Sequence, residues 1–91
     1  MEHSSKQTAA APAIAQAVTH LEAGDWEAAH ALVRDDTSRP GCWAHGIAHL
    51  LEGDLDNARY WYRRAHRPLP DGNTARAEVA ALKALVIGGE S

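Results

Sequence analysis

The sequence predicts an all-α fold: two antiparallel helical hairpins followed by a C-terminal capping helix. Three observations predict it. Apolar residues recur at helical spacing through most of the chain. The dipeptide Gly-Asp falls twice, at Gly24-Asp25 and Gly53-Asp54, in each case between two such periodic runs. The composition is rich in Ala, contains no Phe, and has few β-branched residues outside the periodic runs.

Residues 1–9 are small or polar without periodicity and read as a flexible tail that includes His3. Pro12 suits a first helical turn, and Ile14, Ala17, Val18 and Leu21 form an apolar stripe, so the first helix is expected over 10–23. Asp25 can cap a second helix over 25–36, with Trp26, Ala29, Leu32 and Val33 inward. The segment TSRPG reads as a turn by composition. A third helix over 41–52 carries Trp43, Gly46, Ile47 and Leu50 on one face. Gly53 suits the left-handed position that closes a helix, and Asp54 caps a fourth helix over 54–67. On that helix Leu55, Ala58, Trp61, Tyr62 and Ala65 face inward, and Pro68 and Pro70 stop it. After the turn PDGN, Val79, Leu82 and Val86 give a fifth helix over 74–87, stopped by Gly88-Gly89 and expected to cover the exposed flank of the fourth. The domain so defined spans 10–88, with 89–91 as a C-terminal tail. Trp26, Leu32, Val33, Trp43, Ile47, Leu50, Trp61, Tyr62, Leu82 and Val86 are expected to be largely buried.

Laying residues 13–36 over residues 42–65 aligns Ala15 with Ala44, His20 with His49, Leu21 with Leu50, Gly24 with Gly53, Asp25 with Asp54, Ala29 with Ala58 and Arg34 with Arg63. A helical hairpin repeated in this way marks an α-solenoid. The pattern resembles the tetratricopeptide repeat: with Arg39 as the first residue of a 34-residue unit, Gly46, Gly53, Ala58, Tyr62, Ala65 and Pro70 fall on that family's small, turn, small, aromatic, small and proline positions. The likeness covers residues 39–72 well and 10–38 loosely, and it departs at Cys42, His45 and His49, where an aromatic residue, Leu and Tyr are usual. The combination of DWEAAH, W-x-H-x3-H-x2-EGD and NARYWYRRA, over residues 24–65, is also similar to a family of small uncharacterised bacterial proteins. That resemblance implies a shared fold and a shared use of these histidines, and no substrate.

Composition narrows the function classes. The 91 residues carry a net charge of −3, which gives no overall attraction to nucleic acid. No apolar run approaches the roughly 18 residues of a membrane span, and the start lacks the apolar core of a signal peptide. A cytoplasmic location is therefore expected. The lone Cys42 forms no internal disulfide and reads as a small buried apolar residue. Acidic side chains gather at Glu22, Asp25, Glu27, Asp35 and Asp36, and basic ones at Arg59, Arg63, Arg64 and Arg67. Such polarity can orient a partner or a second copy.

The histidines carry the chemistry of the sequence. At about 100° per residue, His45, His49 and Glu52 lie on one stripe of the third helix, within roughly 60° of one another. Two imidazoles one turn apart with a carboxylate beyond are a usual set for zinc or non-haem iron. His30 sits on the flank of the second helix that can meet the third, a fourth ligand, and His20 is a fifth candidate from the first helix. The alternative is a polar network at a half-buried seam, because HxxxH without the glutamate of HExxH is a weak motif. The run Tyr60-Trp61-Tyr62-Arg63-Arg64 invites a nucleic-acid reading, but Trp61 and Tyr62 point inward. Asp56, Tyr60, Arg63, Arg64 and Arg67 are left as an outward surface suited to an acidic peptide or to another copy.

Two function classes follow. The first is a small helical-repeat module that binds a protein, a peptide or itself; two repeats are fewer than the three usually needed for stability, which leaves a homodimer as one expected assembly. The second is a metal protein, or an enzyme using a histidine as acid or base on a small molecule, through His30, His45, His49 and Glu52. Neither class involves nucleic acid or a membrane.

Overall fold

The computed structural model of the chain describes residues 10–71 and 74–87. They form α1 (Ala10–Glu22), α2 (Trp26–Val33), α3 (Arg39–Glu52), α4 (Leu55–Arg64) and α5 (Ala75–Val86), with no strand among the described residues. The tail at 1–9, Gly72-Asn73 of the PDGN turn, the Gly88-Gly89 stop and the tail at 89–91 lie outside them.

The two Gly-Asp pairs close one helix and open the next. Gly24 and Gly53 have φ of 80° and 90°, which L side chains adopt only under strain. Behind Gly53 the chain turns back through two bonds, Gly53 N–H to Leu50 O (3.1 Å) and Asp54 N–H to His49 O (2.9 Å), the closing pattern of a Schellman motif. The same bonds recur behind Gly24, from Gly24 to Leu21 and from Asp25 to His20. The aspartates then accept from the first turn of the following helix, Asp25 Oδ1 from Ala28 N–H (3.2 Å) and Asp54 Oδ1 from Asn57 N–H (3.3 Å).

Three helix ends differ from the sequence expectation by two residues or more, each for a local reason. The TSRPG segment is not all turn: the Ser38 hydroxyl accepts from Gly41 N–H (3.1 Å), Pro40 fits the first turn, and α3 starts at Arg39. The second helix stops at Val33, and Asp36 then accepts from Ser38 N–H (2.8 Å). The fourth stops at Arg64, because His66 adopts φ 60° and closes the helix through His66 N–H to Arg63 O and Arg67 N–H to Tyr62 O.

The hairpins α1–α2 and α3–α4 pack side by side, with α2 and α1 both against α3. Ile14, Val18, Leu21, Val33, Ile47, Tyr62 and Leu82 fill the core. Gly46 decides how closely α4 approaches α3, since a Cβ there would lie 2.6 Å from the Tyr62 ring. Helix α5 does not mainly cover the flank of α4 as expected from sequence; it packs on α1 and α3, the first helices of the two hairpins. Val79 and Leu82 enter the core from it. A polar tie joins it to both α3 and α4: Glu78 Oε1 accepts from Trp43 Nε1–H of α3 (2.9 Å) and Tyr62 O–H of α4 (2.7 Å). Lys83 pairs with Glu22 of α1 at 3.0 Å. Trp26, Leu32, Leu50, Trp61 and Val86 are packed against the core edge and only partly buried, short of the expected depth, whereas Val33, Trp43, Ile47, Tyr62 and Leu82 reach it. No described helix is long and apolar enough to cross a membrane.

Candidate metal centre

Because α2 packs on α3, His30 meets His45 and His49 across the seam between the two hairpins. Ring centroids are 4.5 Å apart for His30 and His45, 5.1 Å for His30 and His49, and 5.1 Å for His45 and His49. His30 stands edge-on to the other two, which lie nearly parallel, one turn apart on α3. One nitrogen from each of the three rings lies within 4.8 Å of the others. Glu52 completes the stripe, its Oε1 accepting from His49 Nδ1–H at 2.8 Å.

That carboxylate matters because it fixes the His49 ring and commits Nδ1, which leaves Nε2 as the nitrogen able to bind a cation. His45 is 3 % exposed, and its Nδ1 has no hydrogen-bond partner among the described residues. A buried polar atom left so costs about 1–3 kcal/mol. Burial, then the neighbouring His30 and His49, push the His45 pKa down to about 4. Burial also lowers that of His30, helped by His49 and Arg34 and opposed by Glu52. Both rings are therefore neutral at pH 7, the form in which imidazole binds a metal.

Trp61 is the neighbour that sequence reasoning missed. Its indole stacks on the His45 ring at 3.8 Å and 12°. The helical period puts Trp61 on the inward face of the helix that follows α3, but periodicity gives no partner for that face.

His20 does not join the cluster. Its Nδ1 lies 3.8 Å from Asp25; it holds in the first hairpin the position of His49 in the second, where no earlier described helix packs alongside. A second group of ligand-type atoms, His49, Glu52 and Asp54, shares one histidine with the first. Asp54 is already engaged as the cap of α4, bonded to Asn57 N–H and to Asn57 Nδ2–H (2.7 Å), and that side-chain bond leads the lowering of its pKa.

The outward surface of α4 divides in two. Asp56 pairs with Arg59 at 3.3 Å, Tyr60 stands exposed, and Arg64 donates to the Tyr60 hydroxyl at 3.4 Å. Arg63 is exposed without an acidic partner among the described residues. Arg67 leaves this surface and lies over the Trp43 ring at 3.6 Å. Compared with known proteins, the chain matches no family model, no curated protein and no solved structure.

Proposed function

We propose that the protein binds a divalent transition metal, zinc foremost, through His30, His45 and His49, with Glu52 orienting His49. The observation that carries this reading is the convergence of one nitrogen from each of three imidazoles, one of them the ring of His45, whose buried Nδ1 has no hydrogen-bond partner among the described residues. Coordination through Nδ1 would satisfy that atom. It would also link α2 to α3, so the ion would hold the two hairpins together. Imidazole nitrogens suit zinc, copper, iron and nickel better than magnesium or calcium. Zinc held by three nitrogens keeps a fourth position for water and lowers its pKa toward 7. The acid–base reading of the site is the extension of that chemistry to a small molecule.

Metal analysis of protein purified without a histidine tag, together with a zinc titration, tests the proposal. One ion per chain is expected, with emission from Trp61 changing as the site fills. His45→Ala and His49→Ala should each abolish stoichiometric binding, and Glu52→Gln should weaken it about tenfold to a hundredfold. Equal metal content in wild type and in both alanine variants would remove the proposal.

The interaction reading keeps one observation of its own. Leu55, expected from the helical period to face inward, is exposed at the start of α4, and Tyr60 is exposed too. Arg63 on the same helix has no acidic partner among the described residues, which makes a mixed apolar and cationic helix of the kind that receives an acidic segment.

A further inference from the structure

Away from the histidine cluster, a cleft of about 230 Å³ opens where the start of α3, the end of α4 and the last turn of α5 meet. Arg39, Pro40, Trp43, His66, Arg67 and Leu85 line it. Its charge is one-sided: no carboxylate lines it, and neither Arg39 nor Arg67 has an acidic group within 4 Å among the described residues. Glu78 is not part of the lining; its Oε1 accepts from Trp43 and Tyr62 behind it.

Two details go beyond a solvated basic surface. The Arg67 guanidinium lies over the Trp43 ring, with Cζ 3.6 Å from the centroid. Stacking uses the face of the guanidinium and leaves its in-plane N–H donors free, while removing much of the side chain's freedom before a ligand arrives. The second detail is His66. Three helices of this chain end in the same motif, and the left-handed position is Gly24 in the first, Gly53 in the second and His66 in the third, at φ 60°. Glycine is the usual residue there. A side chain held in a sparsely populated backbone region points to a use for that side chain, and this one stands on the wall of the cationic cleft.

We propose that the cleft between α3, α4 and α5 is an anion site that takes a phosphate group, gripped by Arg39 and Arg67 with His66 as the third contact. Two fixed positive charges on a lining that carries no carboxylate match a dianion better than a single carboxylate, and the guanidinium fork fits phosphate oxygens in pairs.

Calorimetric titration of the full chain with inorganic phosphate and with phenyl phosphate tests it, sodium chloride at matched ionic strength being the blank. Saturable binding of one anion per chain is expected, weakened at least about tenfold by Arg39→Gln and by Arg67→Gln. Tighter binding of phenyl phosphate would assign the site to an ester, and tighter binding of inorganic phosphate to the free ion. His66→Gly separates ligand contact from helix cap: the proposal expects a higher melting temperature together with weaker binding. A higher melting temperature with unchanged binding would reduce His66 to a cap and overturn its part. Absence of saturation, affinity untouched by Arg39→Gln, or saturation by a glutamate-rich peptide alone would overturn the site. Arg39 is exposed at a helix start, so its variant folds even if loss of the Arg67 stack harms the other.

Discussion

At the scale of single residues, His45 concentrates the physics of the molecule. It is buried, stacked on Trp61, flanked by two other imidazoles, and has an Nδ1 without a partner among the described residues. Its pKa is about 4 in the folded chain against 6.5 for an ordinary histidine. The unfolded chain therefore holds the proton more tightly, and the metal-free protein has its full stability above pH 6.5, losing it as pH falls toward 4. Across that window the loss is on the order of 3 kcal/mol from this one ring. Urea unfolding at pH 7.5 and pH 4.5 checks the figure, with His45→Leu as the control that cannot titrate. The variant should lose much less stability than wild type over the same interval; equal losses would show that carboxylates alone govern acid unfolding. Helical spacing was enough to put His45, His49 and Glu52 on one stripe and His30 near it. It could not show that Glu52 engages His49 through Nδ1, or that Trp61 covers His45, because those depend on rotamers and on how far α4 approaches.

At the scale of elements, what the sequence made legible was where the chain turns, and what it hid was how a lone helix docks. Gly24-Asp25 and Gly53-Asp54 announce a stop and a cap in two residues, and both motifs form as read. His66 gives no such notice, since histidine in a left-handed position carries no compositional signal, and so the period extends the fourth helix to 67 where the chain ends it at Arg64. Helix α5 was recognised by its period, but period identifies an apolar face without saying which groove receives it. Glu78, which ties that helix to Trp43 and Tyr62, reads in sequence as one more exposed acid. The two informative glycines separate conformation from space. Around Gly53 a Cβ would meet nothing within 4 Å, so Gly53→Ala suffers only the strain of φ 90°, on the order of 1 kcal/mol. At Gly46 the backbone is ordinary helix, and the added Cβ would collide with the Tyr62 ring; forced repacking of this kind costs about 1–3 kcal/mol. Chemical denaturation should therefore rank Gly46→Ala below Gly53→Ala in stability, with both below wild type. The reverse order would mean that α4 can shift away from α3 more easily than the turn can adapt.

At the scale of the whole molecule, the described chain is 45 Å long and 24 by 23 Å across, with acids gathered around α2 and arginines along α4. Some of this charge is already spent inside the chain: Glu22 pairs with Lys83, Asp56 with Arg59, and Arg67 lies on Trp43. Glu27, Asp35 and Arg63 have no ion-pair partner among the described residues. If the chain self-associates through its polarity, the acidic end of one copy meets the α4 arginines of the next that have no ion pair among the described residues, Arg63 foremost because Arg64 already donates to Tyr60, a head-to-tail contact. Exposed charges are screened beyond a Debye length of about 10 Å at 0.1 M salt, so association should be strongest at about 0.02 M salt and weaken steeply by about 0.5 M. Arg63→Glu should weaken it at low salt without disturbing the cleft that holds Arg67. Sedimentation equilibrium of wild type and variant at the two salt concentrations measures this directly. A dimer indifferent to salt would move the interface to the exposed Leu85 and Ile87 at the end of α5, and a monomer under every condition would end the idea that the opposed charges serve a second copy.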